Sequence, residues 1–271
     1  MLDKELIARI EQSERDYLIS RIRSISEREG NPEGVELRSF GGATACYIRT
    51  MPWPLFNSVV GLTHDDLDQL DALLAFYRER NRSFQIAINP SQAHGELLKQ
   101  LARRSMYQAS FHTVLYGRPL ALAGNDSDRI RICEVLDEHD FHHYAGVHCL
   151  GAGMGIEHRH HFANNNRGLM NRPGWRLFLA LYDDVPGAVA VMHSSNGIAS
   201  LALAATVPDY RRRGLQTALL NHRLHEAYKE KCEWVAAQAG FGSSSQHNME
   251  RVGMRVAWTR AMWEPLQNRN S

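Results

Sequence analysis

The chain of 271 residues has almost no net charge: 31 Lys and Arg stand against 30 Asp and Glu, giving +1 with neutral histidines. So even a balance removes the electrostatic argument for nucleic acid or an anionic membrane surface, and any basic cluster needs a local explanation. Cysteine is scarce. Cys46, Cys133, Cys149 and Cys232 form no CxxC pair and match no zinc spacing, which points to reduced, buried thiols in a reducing compartment. No stretch approaches the ~20 apolar residues of a membrane span. The opening MLDKELIARIEQSERDY is charged and amphipathic and lacks the apolar core of a signal peptide. The expectation is a soluble, cytoplasmic protein without nucleic-acid or membrane partners. No Gly-Lys-Ser/Thr occurs, which excludes a Walker A loop, and the glycines of a Rossmann fingerprint after an N-terminal strand are missing too.

What is present is an ordinary globular composition, 44% apolar and 23% charged. Periodicity predicts a helix over residues 3–28, stopped by Gly30-Asn31-Pro32, then a strand over 43–49. Met51-Pro52-Trp53-Pro54 is a loop, whose Trp53 either anchors it as a packed aromatic or contacts substrate. Thr63 is an N-cap, with Asp65, Asp66 and Asp68 in the turn that follows, for a helix to about Arg80. A strand over 84–88, a helix over 94–104 and a strand over 107–116 complete the first half. Residues 117–128 gather turn-formers, so the expected division is 1–118, a linker at 119–128, and 129–266. The second half reads as a strand (130–135), helical stretches (138–149, 157–166), a strand (177–182), a turn at 183–187, and strands over 188–192 and 198–207 joined by the hairpin signal Asn196-Gly197. A helix over 215–230 and a strand over 234–239 follow. That order predicts an α/β (α+β) fold: an antiparallel meander leading into a βαβ crossover in a mixed sheet. One echo runs through the chain. Arg103, Met106 and Ala109 recur as Arg251, Met254 and Ala257, a spacing of 148, each time where a helix gives way to a strand. It suggests two copies of one fold.

The chemistry-bearing segment is LALAATVPDYRRRGLQTALL, residues 201–220. A strand ends at Val207, Pro208 helps to end it, and three arginines and Gly214 precede a helix. A glycine at such a turn lets backbone amides approach a ligand, and the first helical amides and the macrodipole favour an anion. With the arginines and the Thr217 hydroxyl, these features describe a pyrophosphate cradle. Taken alone, RRRG is as readily a solvated basic turn; its place after a meander and before a helix favours the cradle.

These residues resemble the GNAT (GCN5-related N-acetyltransferase) family, whose acyl-CoA motif is Gln/Arg-x-x-Gly-x-Gly/Ala. Arg211-Arg212-Arg213-Gly214-Leu215-Gln216 matches it except at Gln216, and Ser244 to Met254 resembles the family's last helix and its exit into a strand. The resemblance covers about residues 128–264. It implies an N-acetyltransferase that moves an acetyl group from acetyl-CoA to a primary amine, of a small molecule, by direct attack. It also implies that the backbone of Ala205, Thr206 and Val207 bonds the pantetheine arm and that Arg211, Arg212, Arg213, Gly214, Leu215, Gln216 and Thr217 hold the pyrophosphate. Ser245 and Asn248 are polar candidates beside the cofactor. Two departures stand out. Met249 occupies the position where many members carry a tyrosine acid, and residues 197–207 hold no Asp or Glu to act as base. The alternatives are a non-catalytic acyl-CoA sensor or scaffold, or a peptide or protein N-acetyltransferase.

Seven of the fourteen histidines fall between 139 and 161. His143, Tyr144 and Glu157 are candidate bases on the acceptor side; the opposing reading is a solvated polar face. No Cys or carboxylate is clearly placed to complete a metal site, so no metal is expected. The first half reads as a degenerate GNAT-like copy, because its corresponding loop, Val59 to Asp66, has acids where a pyrophosphate needs arginines. The expected assembly is a monomer or homodimer.

Overall fold

The computed structural model describes residues 2–121 and 127–266; residues 122–126 of the expected linker lie outside the described residues. Two compact units are interleaved along the chain. A major unit comprises Met1–Ile25 and Val114–Ala257, and a minor unit comprises Ser26–Thr113 and Trp258–Ser271. The units therefore do not part where a linear cut at 119–128 would separate them. Local pattern identifies a helix or a strand but carries no record of which core it joins.

Helix α1 (Lys4–Ser26) begins where Asp3 accepts the Leu6 amide at 2.8 Å. It buries Leu6, Ile10, Ile22 and Ile25. Polar contacts as well as apolar ones hold it in the major unit. Ser13 and Ser200 hydroxyls meet at 2.8 Å, and the Trp175 indole donates to Ser20 at 2.9 Å.

In the minor unit, β1 (Val35–Phe40), β2 (Ala43–Ile48) and β3 (Ser58–Val60) form an antiparallel meander. Helix α2 (Leu70–Arg78) crosses to β4 (Gln85–Ile88), parallel to β3, and α3 (Gly95–Arg103) leads into β5 (Met106–Gly117). The sequence pattern does not show β1 or β3. Only the ends of β1 are buried, so it lacks alternation, and β3 has three residues. The core packs Phe40, Val59, Leu73, Phe76, Tyr77, Ile86, Leu97 and Leu101 together.

The second half of the chain repeats this order. After β6 (Ile130–Glu134), α4 (Glu138–Gly151) and α5 (Arg159–Asn166) come β7 (Trp175–Tyr182), β8 (Val185–Ser195) and β9 (Ile198–Thr206), an antiparallel meander. Helix α6 (Leu215–Lys229) crosses to β10 (Trp234–Gly240), parallel to β9, and α7 (Ser244–Arg251) leads into β11 (Arg255–Pro265). The meander–helix–strand–helix–strand plan thus occurs twice, and the echo at 103 and 251 marks equivalent junctions. The turn expected at 183–187 is shorter. Asp183 and Asp184 have φ of 48° and 61°, a primed two-residue hairpin turn, so Pro186 already lies in β8, beside a register shift opposite Ala180 and Leu181.

Strand alternation divides the major core. Ala188, Ala190 and Met192 pack with Leu215, Leu219 and Leu224 of α6. Val189 and Val191 pack with Phe141, Tyr144 and Val147 of α4.

The last strand completes the minor unit. Ala261, Met262 and Trp263 pair antiparallel with Ile88, Ala87 and Ile86, and the Trp258 indole donates to Asn89 at 3.2 Å. A chain ended after Ala257 is therefore expected to lose protection across residues 26–113, read as faster limited proteolysis there than in the full chain. Unchanged cleavage would show that β11 is dispensable to this core.

Candidate functional site

The site is built where two parallel strands stop pairing. β9 and β10 are registered at Ile198–Trp234, Ala199–Val235, Ser200–Ala236 and Leu201–Ala237, and no further. Both strands continue, β9 to Thr206 and β10 to Gly240. β9 stays paired to β8 on its other side as far as Ala188–Thr206. Beyond Leu201 the two strands are thus no longer paired, and a parting between parallel strands is an arrangement that an extended pantetheine arm can occupy as an added strand. Within this stretch β9 is bulged. Val189 pairs with Ala205 and Val191 with Ala202, so Leu203 and Ala204 together face the single Ala190, and Leu203 has φ of 47°.

At the end of β9 the chain turns through Pro208–Tyr210 into Arg211 to Gly214. Gly214 has φ of 86°, left-handed backbone that favours glycine, and it stands directly before α6 with no side-chain cap. The ladder starts with the Ala218 amide donating to the Gly214 carbonyl at 2.9 Å, so the amides of Leu215, Gln216 and Thr217 precede it. Arg211, Arg212, Arg213 and Gly214 are exposed. The Arg213 guanidinium lies 5.0 Å from the Tyr182 ring centroid and 5.1 Å from that of Tyr210. Unpaired amides, a helix macrodipole and clustered guanidinium groups at the mouth of the slot suit a pyrophosphate.

Gln216, the departure from the family motif, has a defined place. Its amide donates to the Thr206 hydroxyl at 2.7 Å, tying the start of α6 to the end of β9. On the opposite side of β9, Gly151 closes α4 against the strand. A Cβ at Gly151 would sit 2.8 Å from Ala205 Cβ and 2.9 Å from the Thr206 nitrogen. In α7, Ser245 is exposed, and Asn248 accepts from Arg251 at 3.3 Å. The cap of that helix is Ser243, which accepts the Gln246 amide at 3.3 Å. Met249 is buried. Gln246 was not singled out from sequence, yet its carbonyl accepts the Gly242 amide at 2.9 Å and shapes the loop after β10.

The corresponding turn of the minor unit is a 3-10 helix, His64–Gln69, that runs into α2, and its start is closed differently. Thr63 and Asp66 form a capping box, with the Thr63 amide donating to Asp66 at 2.9 Å. Asp66 also accepts the Gly42 amide at 2.6 Å and is 4% exposed. A buried carboxylate therefore takes the backbone amides that converge on this turn.

No protein-family model and no curated protein matches the sequence. Solved structures do match the fold. A GCN5-related N-acetyltransferase from Kribbella flavida aligns with a TM-score of 0.64 at 14% identity, covering 92% of this chain and 96% of that one. One from Sphaerobacter thermophilus aligns at 0.58 and 14% identity, covering 95% and 96%. A tandem GNAT protein from the clavulanic acid biosynthesis pathway aligns at 0.61 and 13% identity, covering 93% and 89%. The chain has the GNAT fold. These likenesses extend over both halves, consistent with the twice-used order of elements.

In this fold the candidate acceptor groups are unequally placed. Tyr144 is fully buried, its hydroxyl lacks a hydrogen-bond partner, and burial pushes its pKa up, so it is a poor base. His143 is half-buried and stacks edge-on with His139 at 4.9 Å. Glu157 is exposed, 3.5 Å from the His158 ring nitrogen. Most of the local histidines are at the surface in ring contacts, such as His160 with His161 at 3.8 Å. Among the described residues no group of three or more His, Cys, Asp or Glu could hold a metal ion. No helix among them is long and apolar enough to cross a membrane.

His148 is the exception in this group. It is buried against Tyr144 and Phe162, and burial, with Arg21 nearby, pulls its pKa down to about 3. An unfolded histidine titrates near ~6.5, so between these pH values the unfolded chain binds the extra proton. Stability contributed by neutral His148 is present above about pH 6.5 and is lost as pH falls toward 3. Urea unfolding at pH 7, 6 and 5 should show a shallower acid limb for His148→Gln than for wild type, by up to about 1.4 kcal/mol per pH unit. Parallel limbs would contradict a neutral buried imidazole.

Proposed function

We propose that the chain is an N-acetyltransferase that uses acetyl-CoA as acyl donor and a primary amine, of a small molecule, as acceptor. The observation that supports this most is the open seam between β9 and β10 leading directly to the uncapped start of α6. In this reading the backbone of Ala205 to Val207 bonds the pantetheine arm, the amides of Arg212 to Thr217 bind the pyrophosphate with Arg211 to Arg213 around it, and Ser245 and Asn248 flank the cofactor. Acetyl-CoA supplies an activated thioester. The amine nitrogen forms the new bond to the acyl carbon, the carbon–sulfur bond breaks, and the proton lost by the nitrogen balances the thiolate, leaving an amide and CoA thiol. A backbone N–H of the β9 bulge polarises the acyl carbonyl. β9 carries no carboxylate and Tyr144 is sealed in the core, so proton removal falls to His143, Glu157 or water, and an amine of moderate pKa needs little assistance.

The minor unit binds no CoA in this account, because Asp66 closes its loop. The protein acts in the cytoplasm as a monomer or homodimer. Met249 in the tyrosine position favours a second reading, an acyl-CoA sensor without catalysis. CoA-thiol release across a panel of small amines separates the two. The expected result is release with at least one amine and its loss, by roughly 100-fold or more, in Gly214→Asp, which adds a carboxylate and strains a left-handed residue. Tight acetyl-CoA binding with no release for any amine would favour the sensor, and no binding would overturn both.

A further inference from the structure

Arg223, on α6, is 1% exposed, and none of the ion pairs among the described residues involves it. Its Nε donates to the Leu219 carbonyl one turn earlier at 3.1 Å. Its Nη1 donates to the Val191 carbonyl of β8 at 3.0 Å and to the Ala202 carbonyl of β9 at 3.5 Å. Val191 and Ala202 are register partners, and the β9 bulge begins immediately after them. One guanidinium therefore bridges both strands at the point where their ladder is interrupted.

Burying a cation without a counter-ion costs several kcal/mol, and a methionine would fill a similar volume at less cost. Burial pulls the Arg223 pKa down, to about 9, which leaves it charged at neutral pH. What the guanidinium supplies and a hydrocarbon cannot is donors for carbonyls in the irregular stretch, where an unpaired buried carbonyl costs about 1–3 kcal/mol. The stretch that begins at Ala202, where it bonds, is the part of β9 that β10 leaves unpaired.

We propose that Arg223 is a positioning residue for acyl transfer, holding the β9 bulge in the shape that aims a backbone N–H at the thioester carbonyl. The inference rests on the acyl-CoA reading. Arg223 touches neither donor nor acceptor; it acts through the bulge at Leu203 and Ala204, so its loss should leave in place the pyrophosphate cradle and the strand end at Thr206 and Val207 proposed to bond the pantetheine arm.

The test is difference infrared spectroscopy of carbonyl-labelled acetyl-CoA bound to wild type, Arg223→Met and Arg223→Lys, with calorimetric binding of CoA, which lacks the acyl group, as control. The wild-type band should lie below that of free acetyl-CoA. Arg223→Met should lose that displacement and lower kcat roughly 10- to 100-fold, with the Kd for CoA changed no more than about twofold. Arg223→Lys, with a single nitrogen, should give an intermediate band, and it carries the test alone if Arg223→Met does not fold. A wild-type band in the folded variants, with only Tm lowered, would reduce Arg223 to a structural role and leave the acetyltransferase reading intact. So would an undisplaced band in wild type that binds acetyl-CoA. Failure of wild type to bind acetyl-CoA would remove the parent reading and this inference together.

Discussion

The first amides of an α-helix have no partner inside the helix, and something outside must satisfy them. The two units meet this constraint in opposite ways at corresponding turns. In the minor unit Thr63 and Asp66 close from within the 3-10 turn that runs into α2, and the Asp66 carboxylate also takes the Gly42 amide. In the major unit Gly214 offers no side chain, and the first turn of α6 stays open beside three exposed arginines. One fold plan, used twice, thus yields one turn closed by its own carboxylate and one helix start without a side-chain cap.

An uncapped helix start alone is common; here it follows directly on the strand that parts from β10. β9 and β10 part after Leu201, and the residues around the opening hold it in shape from several sides. Gly151 lets α4 close on Ala205 and Thr206, Gln216 joins Thr206 to α6, and Arg223 bonds the carbonyls beside the bulge. Gln216 illustrates how a departure from a motif can be absorbed. A larger side chain at that position bonds the neighbouring strand end.

Much of this was legible in the sequence because its signals are local. The Arg-Arg-Arg-Gly turn, the Asn196-Gly197 hairpin, the Thr63 cap and the helix-to-strand echo each occupy a few consecutive residues. β1 and β3 were not legible: one lacks alternation and the other has only three residues. Nor could the chain show that β11 completes the core begun by residues 26–113, since strand pairing is a long-range choice. Arg223 lay inside an ordinary amphipathic helix pattern, and its function depends on a bulge formed by residues about 20 positions earlier. Tyr144 and Glu157 look alike as polar candidates in the sequence, and it is burial in the fold that separates them.

Calorimetric titration of acetyl-CoA into the full chain tests the central claim most directly, because it counts sites as well as detecting them. The account predicts one mole bound per chain, with binding lost in Gly214→Asp and retained in Asp66→Asn. Two moles per chain would contradict the closed turn of the minor unit, and no binding would contradict the open one of the major unit.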